Sequence, residues 1–201
     1  MKKLLSLLTF TLLAFFLQAQ DFNILQSIKV AGDDVKTIEA QIENITERNG
    51  KLVRSQTGPL YCVSPNEFAA LFETGQYMIV NEKQIKVDIG LFHGTFKLKE
   101  GGRMRILSNI FLCSFQGQCQ KLAEENGYNI NIETNEYHTV IFTNDKKRLF
   151  GVNYKKIIFN FNKSDLHLKE IILYDSRGTC DTYIISNPRY NVDVSPDIFN
   201  F

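Results

Sequence analysis

Between Tyr128 and Ser186 the chain passes through short segments in which apolar and polar residues alternate. That period of two constrains the fold more than any other feature. YNINIET alternates strictly, with Tyr128, Ile130 and Ile132 opposing Asn129, Asn131 and Glu133. EYHTVIFTN, KKIIFNFN, LKEIILYD and CDTYIIS follow, seven to nine residues each, separated by the turn-rich stretches NDKKRLFGVN, NKSD and SRG. Successive strand side chains point to opposite faces, so regular short runs of this kind predict an antiparallel sheet or barrel. Some runs are apolar on both faces: Ile157, Phe159 and Phe161 back onto Ile158, and Ile171 and Leu173 onto Ile172 and Tyr174. A sheet with two apolar faces needs a cover on each, which a helix, plain core packing or a ligand can supply.

The same texture extends upstream. KLVRSQTGPLYCVSP reads as β with a turn or bulge signal at Gly58-Pro59, and Pro65 ends it because proline has no N–H for a ladder. EFAALFE sets Phe68, Ala70 and Phe72 on one face. QYMIVNEKQIKVDIG holds two short strands around a turn near Asn81 and Glu82, and LFHGTFKL is a weaker candidate. Two stretches read differently. Between Gly101 and Gly127, Met104, Leu107, Ile110 and Phe111 fall at helical spacing, and CQKLAEENG is a second short helix stopped by Gly127. Near the start, Phe22, Leu25 and Ile28 suit a short amphipathic helix ended by Gly32-Asp33-Asp34. The segment VKTIEAQIENITERNG fits either state: Val35, Ile38, Ile42 and Ile45 form a helical stripe, whereas Ile38, Ala40 and Ile42 alternate as in a strand. Periodicity alone slightly favours helix.

The first residues read as an address. Lys2 and Lys3 precede an apolar run from Leu4 to Leu17, and Ala19 offers a small residue for cleavage, so residues 1–19 are expected to be a signal peptide. The run is short of the roughly 20 apolar residues that a membrane span requires. Residues 20–201 are then expected to form one exported, soluble domain, since no repeat, low-complexity run or linker interrupts them. Export puts Cys62, Cys113, Cys119 and Cys180 in an oxidising space. A Cys113–Cys119 bridge would close a small loop and leave Cys62 with Cys180. The alternative is that Cys62 and Cys180 are small buried hydrophobes.

Composition narrows the function. Hydrophobic residues make up 44% of the chain and aromatic residues 12%, which excludes intrinsic disorder. Twenty-three basic residues against 22 acidic leave no surplus of positive charge for nucleic acid. His93, His138 and His167 lie far apart, without partners at metal-site spacing, and no nucleophile elbow, HExxH or phosphate loop is present. No catalytic residue, metal or cofactor is expected, so the chain does not read as an enzyme.

Taken in order, VKTIEAQI after a short helix, TGPLYCVSPNEF, QYMIVNEKQIKV, the helical insertion from Met104 to Phe115 and the closing LKEIILYDSRGTCDTYIIS…NVDVSPDIFNF resemble the LolA family of periplasmic lipoprotein carriers. The resemblance spans nearly all of the chain after residue 19, and its specificity comes from the order of the segments. It implies a mainly β fold, a half-open antiparallel barrel with a helical lid, in which VKTIEAQIENITERN is a long bent strand. It further implies an apolar cavity for acyl chains, lined by Ile38, Ala40, Ile42, Leu60, Cys62, Phe68, Ala70, Ile85, Val87 and Ile89. The lid would carry Met104, Leu107, Ile110, Phe111 and Phe115. Many family members place Arg directly before the proline of the second strand as a latch; here that position is Ser64, and Ala70 stands where an aromatic is usual. Arg103 or Arg105 is therefore the candidate latch. The implied function is that of a monomeric periplasmic carrier, receiving acylated lipoproteins from an inner-membrane release complex and handing them to an outer-membrane acceptor. The alternatives are a carrier of a free lipid or acyl-conjugated product, and an envelope sensor or adaptor of the same fold that binds a protein partner.

Overall fold

Among the described residues, eleven strands form one sheet in the order β6-β5-β4-β3-β2-β1-β11-β10-β9-β8-β7, every neighbouring pair antiparallel. The computed structural model describes residues 23–89, 93–99, 103–143 and 154–200. The expected signal peptide, Phe22, the start of LFHGTFKL, the whole NDKKRLFGVN separator and the side chains of Arg103, Met104, Ile106 and Leu107 lie outside the described residues. The strands are β1 (Thr37–Arg48), β2 (Lys51–Val63), β3 (Glu67–Leu71), β4 (Tyr77–Val80), β5 (Gln84–Asp88), β6 (His93–Lys97), β7 (Asn129–Thr134), β8 (His138–Thr143), β9 (Tyr154–Phe161), β10 (Leu168–Asp175) and β11 (Thr179–Tyr190). Three helices accompany them: α1 (23–33), α2 (Arg103–Phe115) and α3 (Cys119–Asn126). The sheet is open, with β6 and β7 as its edges, and the α2–α3 insertion is the stretch of chain that joins those two edges.

The ambiguous segment is β1, not a helix. It pairs with β2 along its whole length and with β11 over most of it. Hydrogen bonding on both sides outweighs a helical stripe whose isolated value is small, because propensity is a weak prior against tertiary pairing. Gly58-Pro59 likewise makes no turn, since β2 runs straight through it, pairing Gly58 with Ile42 and Pro59 with Gln41. Thr57 turns its carbonyl to Glu73 N (2.9 Å), away from β1, and Pro59 shares that side, so its missing N–H costs β1 nothing. Gly58 is required by crowding: a Cβ there would lie 1.9 Å from the Leu71 carbonyl oxygen.

Even-numbered residues of β1 and β2 and their partners across the sheet define an inner face, where a single buried cluster joins Ile38, Ile42, Leu60, Phe68, Ile85, Val140, Phe142, Phe159 and Ile171 to Ile28, Ile110 and Phe111 of the helices. The helices meet each other backbone to backbone. A Cβ on Gly117, at φ +64°, would fall 2.3 Å from the Ile28 carbonyl oxygen, and one on Gly32 2.3 Å from the Gln116 backbone. On the outer face the one-turn helix Pro196–Phe199 packs on β3, with Phe199 and Ala69 both buried there.

Candidate functional site

The inner face has two unlike ends. Toward Ile38 and Cys62 it is apolar and covered. All the cavity residues expected from the sequence, except Ile89, belong to the buried cluster at this end; Ile89 is half-buried just past β5. Phe111 stacks on Phe68 with ring centroids 5.0 Å apart and meets Tyr183 edge-on at 5.1 Å, and Phe115 lies 6.1 Å from Phe68. Ile110, Phe111 and Phe115 of the expected lid therefore lie in the apolar end itself. They face inward because a helix brings positions three and four residues apart onto one side. A pocket lined by Val35, Cys62, Leu112 and Phe115 offers about 10 Å³, room for about one water. The side chains of α2 pack against the apolar end.

Toward the β1–β2 turn the inner face becomes polar. Arg54 donates from Nη2 to Asn44 Oδ1 (3.0 Å) and Thr46 Oγ1 (3.2 Å) and from Nη1 to Gln76 Oε1 (3.1 Å). Thr46 donates in turn to Asp181 Oδ1 (2.6 Å), and Thr74 to Gln56 Oε1 (2.9 Å). Arg54 Nε is buried with no hydrogen-bond partner. Tyr183 and Tyr154 stand beside this network. Burial pushes both phenols up, the Asp181 carboxylate adds to it, and the Arg54 guanidinium opposes the shift at Tyr183. Sequence reasoning did not select Arg54, Asn44, Thr46 or Asp181. Their inward direction follows from strand parity, the Asn44–Gln56 and Thr46–Arg54 pairs continuing the Ile42–Gly58 row, but parity cannot be assigned until the register is known.

The candidate latch residue Arg105 lies elsewhere. Arg105 lines a groove of about 780 Å³ on the outside of α2 and α3, with Pro65, Asn66, Asn109 and Lys121. Ser64 sits in the β2–β3 turn, and its N–H donates to the Lys36 carbonyl. Arg54, by contrast, reaches the inner face.

The four cysteines are free thiols, so neither expected bridge is formed. Cys62 pairs with Ile38 and Cys180 with Glu47, nine positions apart along β1. That is about 30 Å of strand, far beyond the reach of a disulfide. Cys113 and Cys119 end α2 and begin α3, both buried, and burial pushes the Cys113 thiol up to about 11.

No known family profile matches the sequence, and no curated protein does. Solved structures do. A DUF1329 family protein from Desulfovibrio piger shares 12% identity at a TM-score of 0.50, over 89% of this chain and 95% of its own. MucB shares 12% identity at 0.50, over 91% of this chain and 63% of MucB. LolA superfamily protein NE2245 from Nitrosomonas europaea shares 12% identity at 0.43, over 88% of this chain and 97% of its own. At such identities what is shared with the DUF1329 protein and MucB is the fold alone.

Proposed function

We propose that this chain is an exported carrier that receives the acyl chains of lipoproteins at the apolar end of the inner face and moves them through the periplasm from inner to outer membrane. The observation that carries the reading is the way α2 fills that end. Phe111 and Phe115 reach the centre of the apolar face from an insertion that joins the two sheet edges and contributes no strand to the ladder. Withdrawing α2 would uncover Ile38, Leu60, Cys62, Phe68 and Ile85 without breaking a strand pair.

Magnitudes favour the exchange. Re-exposing Ile110, Phe111, Leu112 and Phe115 costs roughly 6–12 kcal/mol at 1.5–3 per side chain. A sixteen-carbon chain removed from water gains on the order of 12 kcal/mol at 0.8 per methylene. An acyl chain in water therefore offsets the loss of the plug. From a bilayer the gain vanishes, so loading requires an inner-membrane release complex that extracts the cargo, and unloading requires an outer-membrane acceptor that holds it more tightly. Arg54 and its amide and hydroxyl neighbours supply the polar boundary beyond which methylenes are not welcome.

Native mass spectrometry of the protein isolated from the periplasm tests this. Co-purifying triacylated protein is the expected result. Free lipid in its place would assign the cavity to a lipid or acyl-conjugated product, and an empty chain bound to a non-acylated protein would overturn the carrier reading in favour of an adaptor. Depletion should also leave lipoproteins in the inner membrane.

A further inference from the structure

The remaining unusual surface is the end of the sheet beyond the polar network. Leu52 and Val53 are consecutive in β2, yet 65% and 60% exposed. They lie at a bulge, where Thr46 pairs with Arg54 and Glu47 with Leu52, leaving Val53 as the extra residue. The β3 ladder begins only at Leu60, so this stretch of β2 has β1 on one side and no strand pairing on the other among the described residues. The tip is held firmly all the same: Asn49 N donates to Gly178 O (2.9 Å), fastening the β1–β2 turn to the β10–β11 turn.

The register gathers positive charge around this pair. Lys51 pairs with Arg48, Arg48 with Thr179, Cys180 with Tyr174, and Tyr174 with Lys156, so Lys51, Arg48, Arg177, Lys155 and Lys156 all lie along one end of the sheet. The acids nearby are Glu47, which pairs with Leu52, Asp175 and Asp181; Asp175 Oδ1 already accepts from the Arg177 and Thr179 N–H groups at 2.7 Å, and Asp181 Oδ1 accepts from Thr46 Oγ1 at 2.6 Å. Tyr174, 37% exposed with Lys156 Nζ 5.9 Å from its ring centre, adds an amphipathic aromatic.

We infer that this end of the molecule docks on an anionic lipid bilayer, with Leu52 and Val53 entering the interface and the five cations lying against the phosphates. A bare apolar pair at a sheet end where cations outnumber acids matches a membrane surface, where basic residues meet headgroups and short apolar side chains reach the acyl boundary. A stable protein partner needs about 800 Å² of complementary surface with aromatic or arginine anchors in pockets, which a two-residue tip does not offer. Docking here would set the polar end of the inner face toward the bilayer, since Arg54 lies two residues from Leu52 on the same strand.

Co-sedimentation of the chain from residue 20 onward with vesicles tests the inference. Binding to phosphatidylglycerol–phosphatidylethanolamine vesicles is expected, weakening with salt and at least tenfold stronger than to phosphatidylcholine alone. The L52S/V53S pair should lose at least tenfold, and K51E/R177E should lose the salt dependence, with thermal unfolding unchanged because all four side chains are exposed. Wild-type protein that sediments with no vesicle, or L52S/V53S protein that binds as well as wild type, overturns the inference and leaves the tip to a protein partner. Uptake of a fluorescent fatty acid from solution, measured on the same variants, reads the cavity separately: its failure in the wild type bears on the carrier reading and not on docking.

Discussion

The two ends of the inner face are built from the same strands, yet they close by different physics. At the Ile38–Cys62 end, closure comes from a helix whose aromatic rings stack on Phe68; at the Arg54–Asp181 end it comes from side chains of the sheet itself, hydrogen-bonded across β1, β2 and β11. Apolar closure is non-directional, so one greasy surface can replace another at little net cost. Polar closure is directional, and removing one partner strands the rest. An opening that admits a methylene chain therefore belongs at the helical end.

The sharpest way to break this contrast is to truncate matched aromatics. Phe159 and Phe111 are equally buried, but Phe159 belongs to β9 and packs edge-on against Phe142 within the sheet. Phe159→Ala should cost about 3–5 kcal/mol in denaturant unfolding. Phe111→Ala should cost clearly less of the global stability, speed hydrogen exchange in α2 and raise fatty-acid uptake. Equal losses with no gain in uptake would mean that α2 is ordinary core. At the polar end, Arg54→Ala should destabilise by about 1–3 kcal/mol, because Asn44 Oδ1 and Gln76 Oε1 lose a donor, while leaving exchange in α2 unchanged.

Thiol labelling gives a finer reading. At neutral pH Cys180, half-buried, should react with a maleimide first. Cys62 and Cys119, fully buried with their thiols pushed up by desolvation, should stay silent until unfolding. Cys113 reports on the helical end, and its labelling should accelerate when a lipid probe is added. The smallest effect concerns His138, at the helical end of β8, where burial first and Lys163 second hold the imidazole below its ordinary value. The unfolded chain then binds protons more readily than the folded one, so stability is full above about pH 6.5 and falls as the pH drops toward the lowered folded value. His138→Gln should flatten that acid limb in pH-dependent melting curves, and an unchanged limb would remove His138 as its cause.

Much of this was legible in advance where a local rule sufficed. The alternation of YNINIET and KKIIFNFN marked strands, the spacing of Met104, Leu107, Ile110 and Phe111 marked a helix, and Gly127 marked its neighbour's end, adopting the left-handed conformation expected of a helix stop. Rules failed where a neighbour decided. Gly58-Pro59 looked like a turn or bulge, but β2 needs no N–H from Pro59 toward β1; Val35–Ile45 looked helical, but two flanking strands claimed it.

The sequence by itself determined which segments after Lys51 are β, where the helical insertion falls and that apolar side chains outnumber what one sheet face can hide, since each of these depends on residues a few positions apart. Only the tertiary structure decided that Arg54, Thr46 and Asp181 meet on one surface, that Cys62 and Cys180 lie at opposite ends of it, and that Phe111 fills its middle. Those facts depend on strand register, and register is set by pairing between segments far apart in the chain, where shifting by a single residue would send every one of these side chains to the other face.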